Sequence, residues 1–184
     1  MKASPSGGIA FRAVRWDSDD ECALLASWNN DPATRRFLVR AKDAANASRE
    51  ITPDDIRREG DGLGESVMLM VGEAPVGVGR FALGPPKLLR PSPQTAWLAP
   101  LIGERDLRGR GLGRRLVEHL EALATQAGAR DFEVGVFEFN ERALRLFQSL
   151  GYREVARLPE RTWWDGRRWE EIRLRKTAGR TRPP

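Results

Sequence analysis

Apolar residues recur at two different spacings along the chain, and the clearest change of spacing lies near its middle. The run from Ala96 to Ile102 is apolar apart from one proline, which is typical of a buried strand. Leucines then recur at helical spacing from Leu112 to Leu123, and Gly128 is a stop signal for a helix. Between the two patterns lies a turn rich in arginine and glycine, residues 108–113. This part of the chain is therefore predicted to be a strand, a glycine-rich turn and a helix.

The same two spacings predict strands and helices along the rest of the chain. Ser18 and Glu21 form a capping box that begins a first helix, and Asp31 followed by a proline begins a second. Thr52 begins a short helix that ends at Gly60. A proline-rich segment, residues 84–93, is predicted to be a flexible hairpin loop. The predicted strands are 9–15, 66–71, 76–81, 96–102, 131–139, 153–158 and 169–174, and two further helices begin at 112 and 140.

Length and residue content are those of one ordinary domain. The 184 residues suffice for a substantial core, and we expect a flexible lead over 1–8, one domain over 9–176 and a flexible basic tail over 177–184. The single cysteine, Cys22, lies on an apolar helical stretch and is predicted to be buried. With one cysteine and one histidine, His119, the chain cannot form a standard zinc site, so no metal is expected.

Charge and hydropathy argue against two classes of partner. The net charge is +5, but the 26 acidic residues are interspersed with the 31 basic ones, so nucleic acid is not expected as a partner. No apolar run approaches the roughly 18 residues of a membrane span, and the first eight residues are polar. We therefore expect a cytoplasmic protein that does not associate with a membrane.

The glycine-rich turn has the properties of a phosphate-binding site. Glycines let the backbone approach an anion, and the unpaired N–H groups of the following helical turn point towards it. Arg108, Arg110 and Arg114 add positive charge. The Walker spacing is missing, and Leu116 stands where a dinucleotide fingerprint needs its third glycine. The two common nucleotide-binding motifs are therefore excluded.

Two motifs resemble those of the GNAT N-acetyltransferases. The turn has the form R-x-x-G-x-G between a strand and a helix, as in the acetyl-CoA-binding motif of that family. Downstream, the pattern of Asn140, Ala143 and Phe147, followed by Gly151 and Tyr152, resembles the family's second motif. The resemblance implies an α/β (α+β) GNAT fold, in which helices flank a mixed central sheet of about six to seven strands and two strands splay apart at the CoA site.

The resemblance also implies which residues hold acetyl-CoA, the expected co-substrate. Backbone groups at the end of the splayed strand would bind pantetheine, and the turn would bind the pyrophosphate. The cofactor-binding candidates are Leu101, Ile102, Gly103, Arg108, Gly109, Arg110, Gly111, Leu112, Gly113, Arg114, Asn140, Ala143 and Phe147.

Proton transfer departs from the family pattern. Many members place a tyrosine, the acid for the departing thiolate, at the position that Phe147 holds here, and a phenyl ring has no proton to give. Tyr152 occupies what is normally a core position. Glu138 and Glu104 are weak candidates for the base, and the catalytic residues remain unassigned.

The acceptor end resembles one branch of the family. Trp28, Asn29 and Arg35 lie in a segment similar to that of the ribosomal-protein alanine, spermidine and aminoglycoside acetyltransferases, and are substrate-binding candidates. The helix from Thr52 would cover the acceptor in that branch. The two tryptophans at 163 and 164 either line the acceptor pocket or form a homodimer contact, and the second interpretation is favoured.

The function implied is transfer of an acetyl group to a primary amine, by direct attack on the thioester in a ternary complex. The acceptor would be a small molecule. Two alternatives stay open: acetylation of a protein N-terminus, and a non-catalytic module that binds acyl-CoA.

Overall fold

The computed structural model describes residues 7–60 and 64–179, which form a seven-stranded mixed sheet flanked by helices. The strands lie in the order β1-β2-β3-β4-β5-β7-β6, and β4 and β5 are the one parallel pair among them. The mixed sheet predicted from the sequence is confirmed. The strands are β1 (Ile9–Ala13), β2 (Glu65–Val71), β3 (Ala74–Leu83), β4 (Thr95–Ile102), β5 (Asp131–Phe137), β6 (Arg153–Trp164) and β7 (Arg167–Thr177). The helices are α1 (Asp19–Asn30), α2 (Pro32–Leu38), α3 (Ala44–Ser48), α4 (Pro53–Gly60), α5 (Leu112–Gln126) and α6 (Glu141–Ser149), and a 3-10 turn spans Arg105–Leu107.

Strands β4 and β5 pair over only a short part of their length. Their register runs from Thr95 opposite Asp131 to Trp97 opposite Glu133, and beyond this point neither strand pairs with the other. Strand β4 continues to Ile102 on its other side, where it remains paired with β3. The two strands therefore diverge, which confirms the splayed pair and opens a gap in the sheet.

Each face of the sheet carries its own apolar core. Leu116 and Leu120 on α5 are fully buried on one face, where they lie so close to Gly79 that a Cβ there would meet both side chains. On the other face, Cys22 and Trp28 of α1 pack with Met68 of β2. The burial of Cys22 is confirmed. Burying each leucine contributes about 2 kcal/mol, so the close approach of α5 to β3 stabilises the framework of the gap.

Several element boundaries differ from the sequence prediction. The first strand ends at Ala13, because the backbone N–H of Arg15 donates to the buried carboxylate of Glu21 at 3.0 Å. Helix α3 was not predicted: it is short and buries none of its residues, so it lacks an apolar period. The final hairpin is longer than predicted because its turn consists of Asp165 and Gly166 alone, both at positive φ.

The proline-rich segment between β3 and β4 is anchored, contrary to the prediction of a flexible loop. The backbone N–H of Leu89 donates to Glu133 of β5 at 3.0 Å, and Arg173 of β7 donates to the carbonyl of Lys87 at 3.0 Å. Leu88 between them is 7% exposed. The loop is therefore held against the same face of the sheet as α1 and α2.

The predicted lead and tail fall mostly outside the described residues, at 1–6 and 180–184. Of the remainder, Gly8 accepts a hydrogen bond from the N–H of Gly72, and Thr177 is the last residue of β7. Within residues 7–60 and 64–179, no helix is long and apolar enough to cross a membrane. The same residues contain no group of three metal-ligating side chains.

Candidate functional site

A cavity of about 1080 Å³ occupies the gap between β4 and β5. It extends from the glycine-rich turn, along α6 and the ends of both strands, to the α2 side of the sheet. Most of the predicted cofactor-binding residues line it: Leu101, Ile102, Arg108, Gly109, Gly111, Gly113, Arg114, Asn140, Ala143 and Phe147. The fold thus brings both sequence motifs to one continuous space.

The glycine-rich turn adopts the left-handed conformation that its glycines permit. Gly109 has φ +90° and Gly111 has φ +81°, and Gly111 is the N-cap of α5. A Cβ on Gly111 would meet nothing within 4 Å, so the requirement for glycine comes from the backbone rather than from crowding. The N–H groups of the first turn of α5 lack partners within the helix, and the turn therefore forms a site for an anion.

Arginines around the turn serve two purposes. Arg108 donates to the carbonyl of Ile102 at 3.0 Å and also to the hydroxyl of Thr34 in α2, and so ties the turn to β4 and α2. Burial lowers the pKa of Arg108. Arg114 and Arg142 line the cavity as well, and the guanidinium of Arg142 lies over Gly109. Arg142 was not among the residues predicted from the sequence, although it stands directly within the second motif.

Three of the predicted cofactor-binding residues do not line the cavity. The indole of Trp28 covers Gly103 so closely that no Cβ would fit there. Leu112 belongs to the core on the α5 face, and Arg110 is exposed. Gly103 therefore lies under an indole, and the side chains of Leu112 and Arg110 do not contribute to the lining of the cavity.

The second motif forms a capped helix beside the gap. The side chain of Asn140 accepts a hydrogen bond from the N–H of Ala143 at 3.2 Å. Phe147 is 4% exposed, lines the cavity and meets the ring of Tyr152 edge-on at 5.1 Å. The hydroxyl of Tyr152 donates to Glu121 at 2.8 Å, and burial raises the pKa of this phenol. Tyr152 is thus a core residue, as predicted.

Neither predicted base candidate lines the cavity. Glu104 accepts a hydrogen bond from the indole of Trp28 at 3.2 Å, and this contact directs it towards α1. Glu138 follows the last residue of β5, and its backbone N–H donates to the carbonyl of Glu170. The geometry therefore gives no support to either carboxylate as the base, and both stay predictions.

A carboxylate that was not predicted from the sequence does line the cavity. Glu171 of β7 is 2% exposed and lies directly over Gly135 of β5, where it leaves no room for a Cβ. Its Oε1 pairs with Arg40 at 2.5 Å and with Arg173 at 3.2 Å. Its Oε2 has no hydrogen-bond partner among the described residues. The sequence did contain a signal for Glu171. Side chains alternate between the two faces of a strand, so Glu171 and Arg173 must face away from the apolar Ile172.

Aromatic and basic side chains surround this end of the cavity. Phe37 of α2 stacks on Phe139 at 5.8 Å, and both line the wall. The ammonium of Lys87 lies 4.5 Å from the ring centroid of Trp97. Burial, and then repulsion from nearby arginines, lower the pKa of Lys87 to about 8. The α2 end of the cavity is thus aromatic and positively charged.

A family model confirms what the motifs suggested. The model of the acetyltransferase (GNAT) family matches residues 25–152. The chain belongs to this family. GNAT enzymes use acetyl-CoA as a co-substrate, and the glycine turn and the splayed strands lie inside the matched residues.

Individual relatives are distant. The thialysine N-epsilon-acetyltransferase of Sus scrofa is 27% identical over 84 residues, 46% of this chain and 48% of that protein. The chain thus spans about half the length of the curated relatives it matches. The structure of yncA from Salmonella typhimurium, assigned as an acetyltransferase and solved with its cofactor acetyl-CoA, has a TM-score of 0.72 at 17% identity, covering 96% of this chain and 97% of that chain. The structure of the ribosomal-protein-alanine N-acetyltransferase of Brucella melitensis has a TM-score of 0.70 at 17% identity, and the match covers 92% of this chain and 99% of that chain. At these identities the structures show a shared fold.

The GNAT acceptor residues predicted from the sequence lie away from the cavity. Trp28 is 5% exposed in the core of α1, and Asn29 donates to the carbonyl of Leu25 at 2.8 Å. Arg35 is 8% exposed and donates to the carbonyl of Ala47 at 2.5 Å, which fixes α3. All three hold α1, α2 and α3 together rather than contact the gap, so the geometry does not support substrate binding by them.

Trp163 and Trp164 also lie away from the main cavity. Both are half-buried and line a separate groove of about 660 Å³, together with Arg35 and residues of α3. The backbone N–H of Trp163 donates to the carbonyl of Ala41 at 2.8 Å. The geometry therefore gives no support to the interpretation in which these tryptophans line the acceptor pocket.

Proposed function

We propose that this chain is an acetyl-CoA-dependent N-acetyltransferase that acetylates a primary amine by direct attack in a ternary complex. One observation carries the proposal. A single cavity connects the anion-binding turn before α5 to a buried carboxylate, Glu171, on the other side of the splayed strands. Such a cavity lets two substrates meet end to end, which is what direct transfer requires.

The residues at the turn fit the charged end of acetyl-CoA. Gly109 and Gly111 leave the backbone accessible, the N-terminus of α5 adds a positive dipole, and Arg114 and Arg142 add charge. Beyond Trp97 the unpaired edge of β4 can bind pantetheine. When bound, acetyl-CoA supplies an acetyl thioester, whose C–S bond breaks as the C–N bond to the amine forms, while the amine loses a proton and the thiol gains one.

We assign the handling of the amine to Glu171. Among the described residues, Glu141 and Glu171 are the carboxylates that line the cavity, and Glu141 is exposed and paired with Arg145. Oε2 of Glu171 is buried and makes no hydrogen bond among the described residues, and Nε of Arg161 lies 3.6 Å from it. An alkylamine has a pKa of about 10 and must lose a proton before it attacks. We propose that Glu171 orients the amine and accepts that proton.

Phe147 is relevant to two questions. The first is which group protonates the departing thiol, and the second is whether the chain is an enzyme or a non-catalytic module that binds acyl-CoA. Its ring lines the cavity where many GNAT enzymes place an acidic hydroxyl, and Tyr152 is engaged with Glu121. We propose that water protonates the thiol. A non-catalytic acyl-CoA-binding module is the second candidate function, and this phenylalanine is the observation that favours it.

The test is release of CoA thiol from acetyl-CoA with a panel of amines, in wild type, Glu171→Gln and Glu170→Gln. Glu170 is the matched control, because it is adjacent on β7 but pairs with Arg157 near the surface. We expect amine-dependent release in wild type and the control, and a loss of kcat/KM of about 100-fold in Glu171→Gln, with the Kd for acetyl-CoA unchanged. Tight binding of acetyl-CoA without release by any amine would instead establish the binding module.

A further inference from the structure

We propose that the acceptor carries a carboxylate beside its amine, as an α-amino acid does, and that Arg40 and Lys87 bind that carboxylate. The inference rests on the proposed function, since it assigns the acceptor of the same cavity. It excludes polyamines and aminoglycosides, which are cationic, as the preferred acceptors.

The charge at the α2 end of the cavity favours an anion. Arg36, Arg40 and Lys87 line this end, and Glu171 is the acidic residue that lines it among the described residues. Glu171 is already surrounded by guanidinium groups, with Arg40 at 2.5 Å, Arg173 at 3.2 Å and Arg161 at 3.6 Å. Positive charge therefore exceeds what this carboxylate balances, and a cationic acceptor would be repelled.

Arg40 is held in place by its backbone neighbours. The hydroxyl of Thr162 donates to the carbonyl of Val39 at 3.0 Å and accepts from the N–H of Ala41 at 3.2 Å. The N–H of Trp163 then donates to the carbonyl of Ala41 at 2.8 Å. These bonds fasten the segment on both sides of Arg40 to β6, while its guanidinium reaches Glu171. A group fixed in this way loses little conformational freedom when it binds a ligand.

Lys87 is placed at the cavity by a loop that is itself anchored. Its carbonyl accepts from Arg173 at 3.0 Å, and its ammonium lies over Trp97. Among the described residues, no carboxylate lies within ion-pair distance of this ammonium, which leaves it available to an anionic ligand. Arg40 and Arg173 repel the same ammonium, so a bound carboxylate would relieve an existing repulsion.

The short distance between the two binding groups sets the type of acceptor. Arg40 and Glu171 are in direct contact, at 2.5 Å. An amine at the carboxylate of Glu171 and a carboxylate at Arg40 must therefore be close together on one molecule. The α-amino acids have this arrangement, with both groups on one carbon. Phe37 and Phe139 then provide an apolar wall for the rest of the molecule.

The first part of the test compares each α-amino acid with its amide, which keeps the shape and the amine but removes the charge. Rates are compared at equal concentrations of free amine, and cadaverine serves as the cationic reference. We expect kcat/KM for the best acids to exceed that of their amides by at least about tenfold. Amides or cadaverine that react as well as the acids would overturn the inference and leave the proposed function standing.

The second part uses Lys87→Met, which keeps the apolar stem and removes the charge, with Arg58→Met on α4 as the control. We expect Lys87→Met to raise the KM of the acid by about tenfold and to change the KM of the amide and of acetyl-CoA by less than about twofold. An equal rise in KM for the acid and for its amide would overturn the role of Lys87.

A protein that does not catalyse acetyl transfer would give a different result from a protein that lacks the anion site. If no amine reacts, binding of the acid and its amide to the protein saturated with CoA is measured by calorimetry. Preferential binding of the acid would uphold the anion site and refute catalysis, whereas no preference would refute both.

Discussion

The guanidinium of Arg173 donates to the carboxylate of Glu133 at 2.7 Å, and both side chains are fully buried between β7 and β5. The same carboxylate accepts from the N–H of Leu89, and the same guanidinium donates to the carbonyl of Lys87. One ion pair thus fixes the loop that supplies a wall of the acceptor site.

We expect substitution of either member of this ion pair to have a large effect on the free energy of unfolding. Glu133→Gln leaves the buried charge of Arg173 with Glu171, at 3.2 Å, as its remaining carboxylate partner, and we expect the free energy of unfolding to fall by up to about 3 kcal/mol. The double variant Glu133→Gln with Arg173→Met should lose less than the sum of the two single changes, because each single change already removes the interaction between these two side chains. Urea denaturation measures all three variants, and strict additivity would contradict the coupling.

Gly113 provides the sharpest test of the anion site. It lies in the first turn of α5 at ordinary helical geometry, whereas Gly111 has φ +81°, so that a side chain at Gly111 would also strain the fold. We expect Gly113→Glu to weaken acetyl-CoA binding by at least about 100-fold through steric conflict and repulsion. Gly113→Ala should weaken it less, with a change in stability that depends on how far Leu146 yields, since a Cβ at 113 would lie 3.2 Å from Cδ2 of Leu146. Calorimetry and thermal unfolding measure both, and unchanged affinity in Gly113→Glu would refute the site.

Phe147→Tyr tests whether a side-chain acid at this position would help to protonate the departing thiolate. The ring already lies where a hydroxyl could reach the cavity, so we expect kcat to stay constant or to rise, by no more than about tenfold. Phe147→Leu controls for packing, since the ring meets Tyr152 at 5.1 Å. Steady-state kinetics on the folded variants measure kcat. A large fall in kcat for the tyrosine variant would show that the ring packs in a way that a hydroxyl disturbs.

The ionisation of Lys87 predicts a pH dependence for acceptor binding. Its pKa is lowered to about 8 by burial and by Arg40, Arg80 and Arg173, against which Glu171 acts in the opposite direction. The ammonium is charged below this pH and neutral above it. The KM for a carboxylate-bearing amine, expressed as free amine, should therefore rise as the pH increases through about 8. Lys87→Met should show no such rise, and a wild-type KM that is flat from pH 7 to 9 would count against the assignment.

The groove lined by Trp163 and Trp164 predicts a contact between subunits. Two half-buried indoles on a hairpin provide an apolar surface that a second copy of the chain would cover. We expect Trp164→Ala to shift sedimentation towards the monomer while the acceptor KM stays unchanged. A wild-type protein that sediments as a monomer at all concentrations would refute the dimer.

Local patterns accounted for the cofactor half of the site. The turn, α5, and the cap at Asn140 depend on residues that are neighbours in sequence, and their chemistry can be recognised there. The acceptor half combines Arg40, Lys87 and Glu171 from three distant segments. Sequence spacing does not reveal that β7 inserts between β5 and β6, and it is this pairing that brings Glu171 into the gap.

Trp28 shows why the geometry gives the predicted acceptor residues no support. A large aromatic residue in a short polar segment is as well suited to a core as to a binding site. The structure places its ring on Gly103, and its indole N–H donates to Glu104, one of the two predicted bases. Burial of this kind depends on the packing of α1 against the end of β4, which no local pattern encodes.

The contact between Glu171 and Gly135 has an evolutionary consequence. The carboxylate occupies the volume that a side chain at 135 would need. Across related sequences, an acid at 171 and any residue larger than glycine at 135 should therefore exclude each other, and the two positions should vary together. An alignment of relatives that share both cofactor motifs would divide them into those with the glycine–acid pair and those that must obtain their carboxylate from another strand.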